Sequence, residues 1–273
     1  WQCFKSGNKG NFIQLYAYLE GLSYNKAEAE ILFHELLSPT SREAEKKEPT
    51  PPPPTLSVKE VTLTSHDDNH PQVQKAWAFL YERGLFNLET EEGTYYVSTD
   101  GKYKNRLIIP FMNNNDLFYF QARALNDESP KYLNPTDGWP KPSHILYPYD
   151  EDADHLVICE GPLDAISLHI QGVNATCTMG CSVSEVQVEQ LKEFEGKIII
   201  GYDNDDAGKR GVSKFDYLRR LKRMADISIC HPPSEVKDWN EAHMKGISLK
   251  RYVKDHTKKY DYDYLVDHLL TTL

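Results

Sequence analysis

The stretch that decides the fold is "HLVICEGPLDAISLHIQG", residues 155–172. Its apolar run is typical of a buried strand, and the segment from Pro162 onward is typical of a helix with proline in its first turn. Downstream, the same strand-then-helix rhythm continues until it has occurred four times. The later strands read "NATCTMG", "KIIIGYD" and "ISICHPP", and the later helices read "SVSEVQVEQLKEF", "DAGKRGVSKFDYLRRLKRMA" and "DWNEAHMKG". Short connections between alternating elements predict an α/β unit, a doubly wound and mainly parallel sheet.

Upstream of this unit the pattern changes to short aromatic and β-branched runs. "HPQVQKAWAFLYERGL" predicts a helix that ends at Gly84. The runs that follow it are separated by Gly, Asn, Asp and Pro, and they predict mostly antiparallel strands. They read "TYYVSTDG", "RLIIPFMN", "LFYFQARAL" and "HILYPYD". We therefore expect a mixed α+β subdomain before the parallel sheet.

The clearest boundary is "SREAEKKEPTPPPPTLSVKE", residues 41–60, whose charges and prolines favour an extended linker. Before it, apolar residues at helical spacing predict a small piece with two short helices. We predict five regions: a helical N-terminal piece, a linker, the mixed subdomain, the doubly wound subdomain and a short helical tail. Their bounds are 1–37, 38–57, 58–153, 154–247 and 248–273.

Composition narrows the class of protein. Of the 273 residues, 40% are hydrophobic and 26% charged, which is ordinary for a folded protein, and the net charge of −10 argues against coating nucleic acid through bulk charge. No apolar run reaches the roughly 18 residues of a membrane helix, so we expect no membrane partner. Five cysteines without a disulfide framework predict a reducing, cytoplasmic location. The chain starts at Trp1 rather than Met, and we expect it to begin inside a longer polypeptide.

Acidic residues follow three of the predicted parallel strands. Glu160 follows the first strand, and the third is followed by "DNDD", residues 203–206, which contains Asp203, Asp205 and Asp206. Asp238 and Glu241 follow the fourth. Ligands of such sheets bind outside the carboxyl ends of the strands, and gathered carboxylates favour Mg²⁺ or a similar ion. Taken alone, "DNDDAG" is equally typical of a capped turn between a strand and a helix.

These motifs resemble the TOPRIM domain that primases, topoisomerases and some nucleases share. Glu160-Gly161 after one strand and Asp203-x-Asp205-Asp206-Ala-Gly after another carry the resemblance. "EGPLDAISLHIQGV…TMG" is particularly similar to the DnaG-type primases of bacteria, and so are four upstream segments in the same order. These segments are "FLYERGL", "NRLIIPFMNNNDLFYFQARAL", "PKYLNP" and "KPSHILYPYD". The resemblance covers about residues 70–245.

The resemblance implies roles for the acids. Glu160 is implied as the acid closest to the chemistry, as a metal ligand or a general base, with Asp203 and Asp205 holding Mg²⁺ or Mn²⁺. Asp164 and Asp206 are implied as further ligands or supporting acids, and a helix N-cap is the alternative for Asp206. Asp238 matches the family's third acidic position. Because "KDWNE" departs from the usual Asp-Pro-Asp there, Glu241 stays open as the ligand instead.

The resemblance also implies a local basic groove for the template and the nucleotides. Its expected members are the cations Arg106, Arg123, Lys131 and Lys141, with Tyr132 and Asn134 as further contacts. The residues before the linker are similar to the second half of the primase zinc-binding domain. There the knuckle reads Cys3-Phe-Lys-Ser6, and serine is no ordinary zinc ligand, so we expect no zinc site in this chain.

The function implied by the resemblance is that of a DNA-dependent RNA primase, viral or plasmid-like. It would join ribonucleoside triphosphates into a short RNA primer on single-stranded DNA, in a bacterial or phage-infected cell and with a replicative helicase as a candidate partner. Two alternatives keep other classes open: a metal-dependent TOPRIM nuclease, and a non-catalytic replication adaptor. The upstream arginine and lysine segments argue against the nuclease, and the retained acids argue against the adaptor.

Overall fold

The computed structural model describes residues 57–86, 94–113, 116–136, 138–148, 150–221, 224 and 227–261. The chain divides into two compact units, Trp1–Thr50 and Pro51–Leu273, and all described residues belong to the second. The two predicted N-terminal helices and the Cys3–Ser6 segment lie outside the described residues, as does the end of the tail from residue 262 onward.

An antiparallel sheet forms the first half of the described chain. Its strands lie in sequence order, and each pairs antiparallel with the next: β1 (Val58–Val61), β2 (Tyr95–Ser98), β3 (Arg106–Asn113), β4 (Asp116–Ala124) and β5 (Tyr132–Leu133). The prediction of antiparallel strands is thereby confirmed. One predicted strand, "HILYPYD", is wrong. A 3-10 helix at Pro142–His144 ends where this segment begins, and the segment makes a single bridge from Tyr147 to Cys177, because Pro148 has no N–H to donate to a strand ladder.

Helix α1 (Pro71–Glu82) covers this sheet. Its buried residues Val73, Ala76 and Leu80 recur at helical spacing and pack in the same apolar cluster as strand residues such as Leu107. The helix stops because Gly84 adopts a left-handed backbone with φ of +61°. This stop places Arg83 immediately after the helix.

A mainly parallel sheet forms the second half, as the sequence predicted. Its strand order is β10-β9-β8-β6-β7, and the pairs β6–β7, β6–β8 and β8–β9 are parallel. The parallel strands are β6 (His155–Cys159), β7 (Ala175–Cys177), β8 (Lys197–Ile200) and β9 (Ser228–Ile229). The edge strand β10 (Lys258–Lys259) pairs antiparallel with β9 and was not predicted. Its two-residue length and charged side chains give no apolar alternation from which to infer a strand.

Helices connect these strands and cover the sheet. They are α2 (Pro162–Ile170), α3 (Glu185–Leu191), α4 (Asp206–Leu221), α5 (Trp239–Met244) and α6 (Leu249–His256). Successive residues of a strand point to opposite faces, and the cores follow this rule. Ile158 and Ile200 pack in one cluster with Phe215 of α4. Val157 packs in another with Trp239 of α5, so apolar cores lie on both faces of the sheet.

Two further observations bear on the expected class of protein. None of the helices in the described part of the chain has the length and apolar character needed to cross a membrane. The described cysteines Cys159, Cys177, Cys181 and Cys230 are free thiols.

Candidate active site

A cleft of about 270 Å³ opens between the two sheets, and both contribute side chains to its lining. One wall is acidic and the other mainly basic. The acidic side chains are Glu160, Asp164, Asp203 and Asp238. The basic side chains are Arg83, Arg123, Lys131 and Lys237. The chain as a whole carries a net charge of −10, so this gathering of cations is a local feature.

The acids reach the cleft because parallel strands end at the same edge of the sheet. Glu160 directly follows β6, and Asp203 lies three residues after β8. Asp238 caps α5, with its Oδ1 accepting from the backbone N–H of Glu241 at 2.7 Å. The neighbouring Trp239 is fully buried and donates its indole N–H to the carbonyl of Gly201 at 2.7 Å, which fixes the start of α5 against the end of β8.

The acids repel one another and are partly desolvated. Burial, followed by the charge of Asp203, raises the pKa of Glu160 to about 7. Burial and the charges of Asp238 and Asp203 raise the pKa of Asp164 to about 8. Burial and the charges of Asp238 and Asp205 raise the pKa of Asp203 to about 6. Carboxylates held in this way destabilise one another unless a cation lies among them.

The donor set fits a divalent cation. The Oε1 atom of Glu160 is buried without a hydrogen-bond partner, and the surrounding oxygens are hard ligands of the kind Mg²⁺ prefers. Among the described residues, no three side chains of the His, Cys, Asp and Glu types form a group that would hold an ion by themselves. Mg²⁺ commonly takes one or two carboxylates and completes its shell with water and substrate phosphates. The fit is therefore to an ion shared with a phosphorylated substrate.

The basic wall is held by aromatic rings and carbonyl groups. The guanidinium of Arg83 lies over the Phe79 ring at 4.7 Å, and that of Arg123 lies 5.6 Å from the same ring. Arg123 also lies 5.2 Å from the Tyr132 ring and donates to the carbonyl of Ala124 at 2.9 Å. The ammonium of Lys131 lies 5.8 Å from the Tyr132 ring. These contacts hold the cations beside the cleft that Arg83, Arg123 and Lys131 line.

The basic residues also crowd one another. Burial, followed by the charges of Arg123, Lys237 and Arg83, lowers the pKa of Lys131. Burial likewise lowers the pKa of Arg123, with Arg83 and Arg106 adding to the shift. Like charges gathered in this way favour an anion among them, and guanidinium and ammonium groups are the usual ligands of phosphate.

Three buried side-chain atoms of the cleft lining have no hydrogen-bond partner: Oε1 of Gln121, Nε of Arg123 and Oε1 of Glu160. Buried polar atoms are nearly always paired, and an unpaired atom costs free energy. Both walls contribute to this set. A ligand with donors and acceptors that spans the cleft would satisfy it.

Most of the residues expected for the site line the cleft together. The structure brings Glu160, Asp164, Asp203 and Asp238 into one wall. It brings four of the expected binding residues into the other: Arg123, Lys131, Tyr132 and Asn134. Asn134 accepts at Oδ1 from the side-chain amide of Gln121 at 3.1 Å, which orients both amides at the cleft.

Two expected phosphate ligands lie elsewhere. Arg106 is only 3% exposed, and its guanidinium donates to the carbonyl of Pro130 at 2.8 Å, with the carbonyls of Ala122 and Lys131 at 3.5 Å. It therefore supports the segment that carries Lys131 instead of facing a ligand. Lys141 is exposed before the 3-10 helix and is not part of the cleft lining.

Three acids also differ from the expectation. Asp205 is exposed outside the cleft lining, and its Oδ1 accepts from the backbone N–H of Gly208 at 2.8 Å, so it is Asp205 rather than Asp206 that caps α4. Asp206 is exposed in the first turn of α4. Glu241 pairs with Lys245 at 2.9 Å and accepts from the backbone of Lys237. Of the two alternatives after the fourth strand, Asp238 is the one that lines the cleft.

Four cleft residues with polar side chains were not predicted as site residues: Arg83, Gln121, Lys237 and Asn240. A signal existed for Arg83, since it lies in "FLYERGL", and for Lys237 and Asn240, since they flank the acid in "KDWNE". Gln121 offered none, because polar residues within an aromatic strand are usually placed by cross-strand packing.

Comparisons with known proteins agree with this geometry. A family model described as Toprim-like matches residues 157–243. A DNA primase of Clostridium acetobutylicum is 32% identical over 200 residues, which cover 68% of this chain and 33% of that protein. A DNA primase of Thermotoga maritima is 27% identical over 197 residues, covering 67% of this chain and 33% of that protein. The chain thus spans about a third of the length of these relatives.

Solved structures share the fold. A DNA primase domain from Pseudomonas aeruginosa superposes with a TM-score of 0.55 at 21% identity, covering 78% of this chain and 68% of that one. The catalytic domain of a DnaG primase bound to single-stranded DNA superposes with a TM-score of 0.54 at 16% identity, covering 95% of this chain and 75% of that one. At these identities the similarity establishes the fold.

Proposed function

We propose, from the premise that this chain is a relative of the DnaG-type DNA primases, that it synthesises short RNA primers on a single-stranded DNA template. The observation that carries the proposal is the two-walled cleft, in which desolvated carboxylates face a cluster of cations. A nucleoside triphosphate with a divalent ion has the complementary features. Its phosphates suit the basic wall, and its ion suits the acidic wall.

The acids would hold Mg²⁺ or Mn²⁺. Asp203 and Asp238 are the ligands we assign, with water and substrate phosphate completing the shell, and Asp164 is the buried acid behind them. When bound, such ions would lower the barrier to attack by a 3′-hydroxyl and to departure of pyrophosphate. Glu160 is the acid we place closest to the reacting atoms, as a further ligand or as the proton acceptor, because it directly follows β6 at the cleft and its Oε1 is buried without a hydrogen-bond partner.

The basic wall would bind and orient the triphosphate. Arg83 and Arg123 have planar guanidinium groups that recognise phosphate oxygens in pairs, and Lys131 adds a point charge. Tyr132 and Asn134 lie next to these cations and would contact the nucleotide or the template. In the reaction, the 3′-oxygen of the growing primer forms a bond to the α-phosphorus. The bond from that phosphorus to the β-phosphate oxygen breaks, pyrophosphate leaves, and the hydroxyl proton passes to Glu160 or to water.

The test is de novo synthesis on single-stranded DNA with labelled ribonucleoside triphosphates and either Mg²⁺ or Mn²⁺. We expect short RNA products from the wild-type chain and none from Asp203→Ala. Asp255→Ala is a matched control, because Asp255 is an aspartate on the exposed side of α6 and pairs only with Arg251 in the described contacts. Alkali treatment of the products distinguishes RNA from DNA.

Other outcomes would point to other functions. Cleavage of the template without synthesis would replace the primase proposal by that of a metal-dependent nuclease. Template binding without either reaction, unchanged in Asp203→Ala, would replace it by that of a replication adaptor. The replicative helicase partner, the cytoplasmic location and the five domain boundaries stay predictions.

A further inference from the structure

We propose that Asn240 is a positioning residue that sets the Arg83 guanidinium at the cleft opposite Asp164. This inference rests on the proposed function, because Arg83 is assigned there to the triphosphate. Asn240 is 2% exposed, directly follows Trp239 in α5, and joins the two halves of the described chain.

The link between Asn240 and Arg83 is reciprocal. A guanidinium nitrogen of Arg83 donates to Oδ1 of Asn240 at 2.8 Å, and Nδ2 of Asn240 donates to the carbonyl of Arg83 at 3.0 Å. One amide therefore holds both the side chain and the backbone of the same residue. The bond to the carbonyl fixes the backbone of Arg83, and the bond to the guanidinium nitrogen fixes where the end of its side chain lies.

Asn240 is itself held by the acidic half of the cleft. Its Nδ2 donates a second bond to Oγ of the buried Ser167 at 2.9 Å, and its backbone N–H donates to Oδ1 of Asp164 at 3.1 Å. The amide can satisfy this arrangement in only one orientation. Oδ1 faces the guanidinium donor and Nδ2 faces the Arg83 carbonyl, so a flipped amide would lose both bonds with Arg83, and it could keep the bond with Ser167 only if that hydroxyl stopped donating to the carbonyl of Leu163.

A second contact between the end of α1 and α5 does not involve the Asn240 side chain. Nε2 of His243 lies 2.8 Å from the carbonyl of Gly84, and a Cβ added at Gly84 would approach that nitrogen to 2.6 Å. This contact keeps the backbone after α1 close to α5 when the amide of Asn240 is removed. The loss of that amide should therefore free the Arg83 guanidinium without separating the two halves of the chain.

The test compares Asn240→Ala with Asn174→Ala in the full chain. Asn174 is a matched control, because its amide is also nearly buried and makes one accepting and two donating bonds, with Asp150 and His155. It precedes β7, at the edge of the parallel sheet opposite the cleft. Both variants lose a buried hydrogen-bonded amide, so both should lower the melting temperature.

Only Asn240→Ala should change the KM for the nucleotide. Below the melting temperature of both variants, we expect the KM for ribonucleoside triphosphate in primer synthesis to rise roughly tenfold to a hundredfold in Asn240→Ala. Asn174→Ala should keep the wild-type KM. An unchanged KM in Asn240→Ala, or an equal rise in both variants, would overturn the proposal.

A double-mutant cycle tests whether Asn240 acts through Arg83. If it does, Arg83→Ala with Asn240→Ala should raise the KM no more than Arg83→Ala alone, because the group being positioned is already absent. A rise equal to the product of the two single effects would overturn the proposal. Should Asn240→Ala fail to fold, Ser167→Ala replaces it, with an expected rise of roughly twofold to fivefold. An unchanged KM in Ser167→Ala would then be the contradicting result.

Binding of ATP with Mg²⁺, measured by calorimetry, separates this inference from the proposed function. If the wild type binds ATP but makes no primers, the function fails, and the inference stands only if Asn240→Ala weakens ATP binding while Asn174→Ala does not. If the wild type neither binds ATP nor makes primers, both fail.

Discussion

The acidic side chains of the cleft come from the parallel-sheet half of the described chain, and the basic ones, apart from Lys237, come from the antiparallel-sheet half. The two groups differ in how their charges are held. The acids Glu160, Asp164 and Asp203 have raised pKa values because they are desolvated among like charges. The basic residues Arg83 and Arg123 rest instead on aromatic rings and donate to oxygens of the chain. Both groups are crowded by like charges, but the cations also have partners within the chain, whereas the acids depend more strongly on a cation from outside.

The largest expected effect is a loss of primer synthesis when an acid of the cleft is removed. Asp203→Ala should reduce primer synthesis by roughly a thousandfold, because Asp203 is a proposed ligand of the metal ion that stabilises the negative charge of the transition state. It should leave the melting temperature unchanged or raise it, because a repelling carboxylate is lost. Primer yield and thermal unfolding of the same preparation check both parts. A large loss of stability would contradict the view that the acidic wall is destabilised without a cation.

A change on the basic wall should have a smaller and different effect. Lys131→Ala should raise the KM for nucleoside triphosphate by roughly tenfold to a hundredfold, because a charged hydrogen bond to phosphate is lost. Lys75→Ala is the matched control, since Lys75 is exposed on α1. Steady-state kinetics at several nucleotide concentrations give both values. Equal KM values for the two variants would remove Lys131 from the site.

The support beneath the basic wall is tested by Arg106. Arg106→Ala should lower the free energy of unfolding by about 3 kcal/mol, because the carbonyl of Pro130 and its neighbours lose a buried charged donor. Arg251→Ala, which removes an exposed ion pair with Asp255, should cost less than about 1 kcal/mol. Urea unfolding of both variants gives the comparison. Similar losses of unfolding free energy in the two variants would show that Arg106 contributes little to stability.

The smallest expected effect is a pH dependence of stability. A carboxyl whose pKa is higher in the folded state stabilises that state while it is protonated. For Asp164, with a pKa of about 8, and Glu160, with a pKa of about 7, this contribution is lost as the pH rises through those values. Mg²⁺ should therefore raise the melting temperature by a few degrees near pH 8 and by less near pH 5.5.

Asp164→Asn sharpens the pH measurement. It should flatten the dependence on pH, because it removes the acid with the highest pKa of the three, and Asp255→Asn should not. A stabilisation by Mg²⁺ that is the same at both pH values would contradict the repulsion among the acids.

The two walls also differ in how far the sequence predicted them. The acids Glu160, Asp203 and Asp238 were predicted because the carboxyl ends of parallel strands share one edge, so strand order along the chain is enough. Asp205 shows where the letters are ambiguous: the same pattern describes a metal ligand and a helix cap, and the structure shows the cap through the bond to Gly208, while the ligand role stays a prediction.

In the antiparallel sheet, alternation tells which residues of a strand share a face, but which of the two faces meets the cleft depends on the register and on the packing of the whole sheet. Arg106 and Arg123 read alike in the sequence, yet one is buried under carbonyls and the other lines the cleft. Arg83 and Asn240 form a hydrogen bond across a sequence separation of 157 residues, and no local sequence pattern predicts such a contact. The spacing of the strands and acids along the chain therefore predicted most of the fold and the acidic wall. Which cations line the cleft could be seen only in the tertiary structure.

The most direct test of the central claim, that the two walls form one site, is ATP binding with and without Mg²⁺. We predict that Mg²⁺ tightens binding to the wild-type chain by at least about tenfold, that Asp203→Ala abolishes this gain, and that Lys131→Ala weakens binding both with and without Mg²⁺. We also predict that the double variant shows non-additive losses, as expected for groups acting on one ligand. Additive losses, or ATP binding that ignores Mg²⁺ in every variant, would show that the acids and the cations do not serve a common substrate.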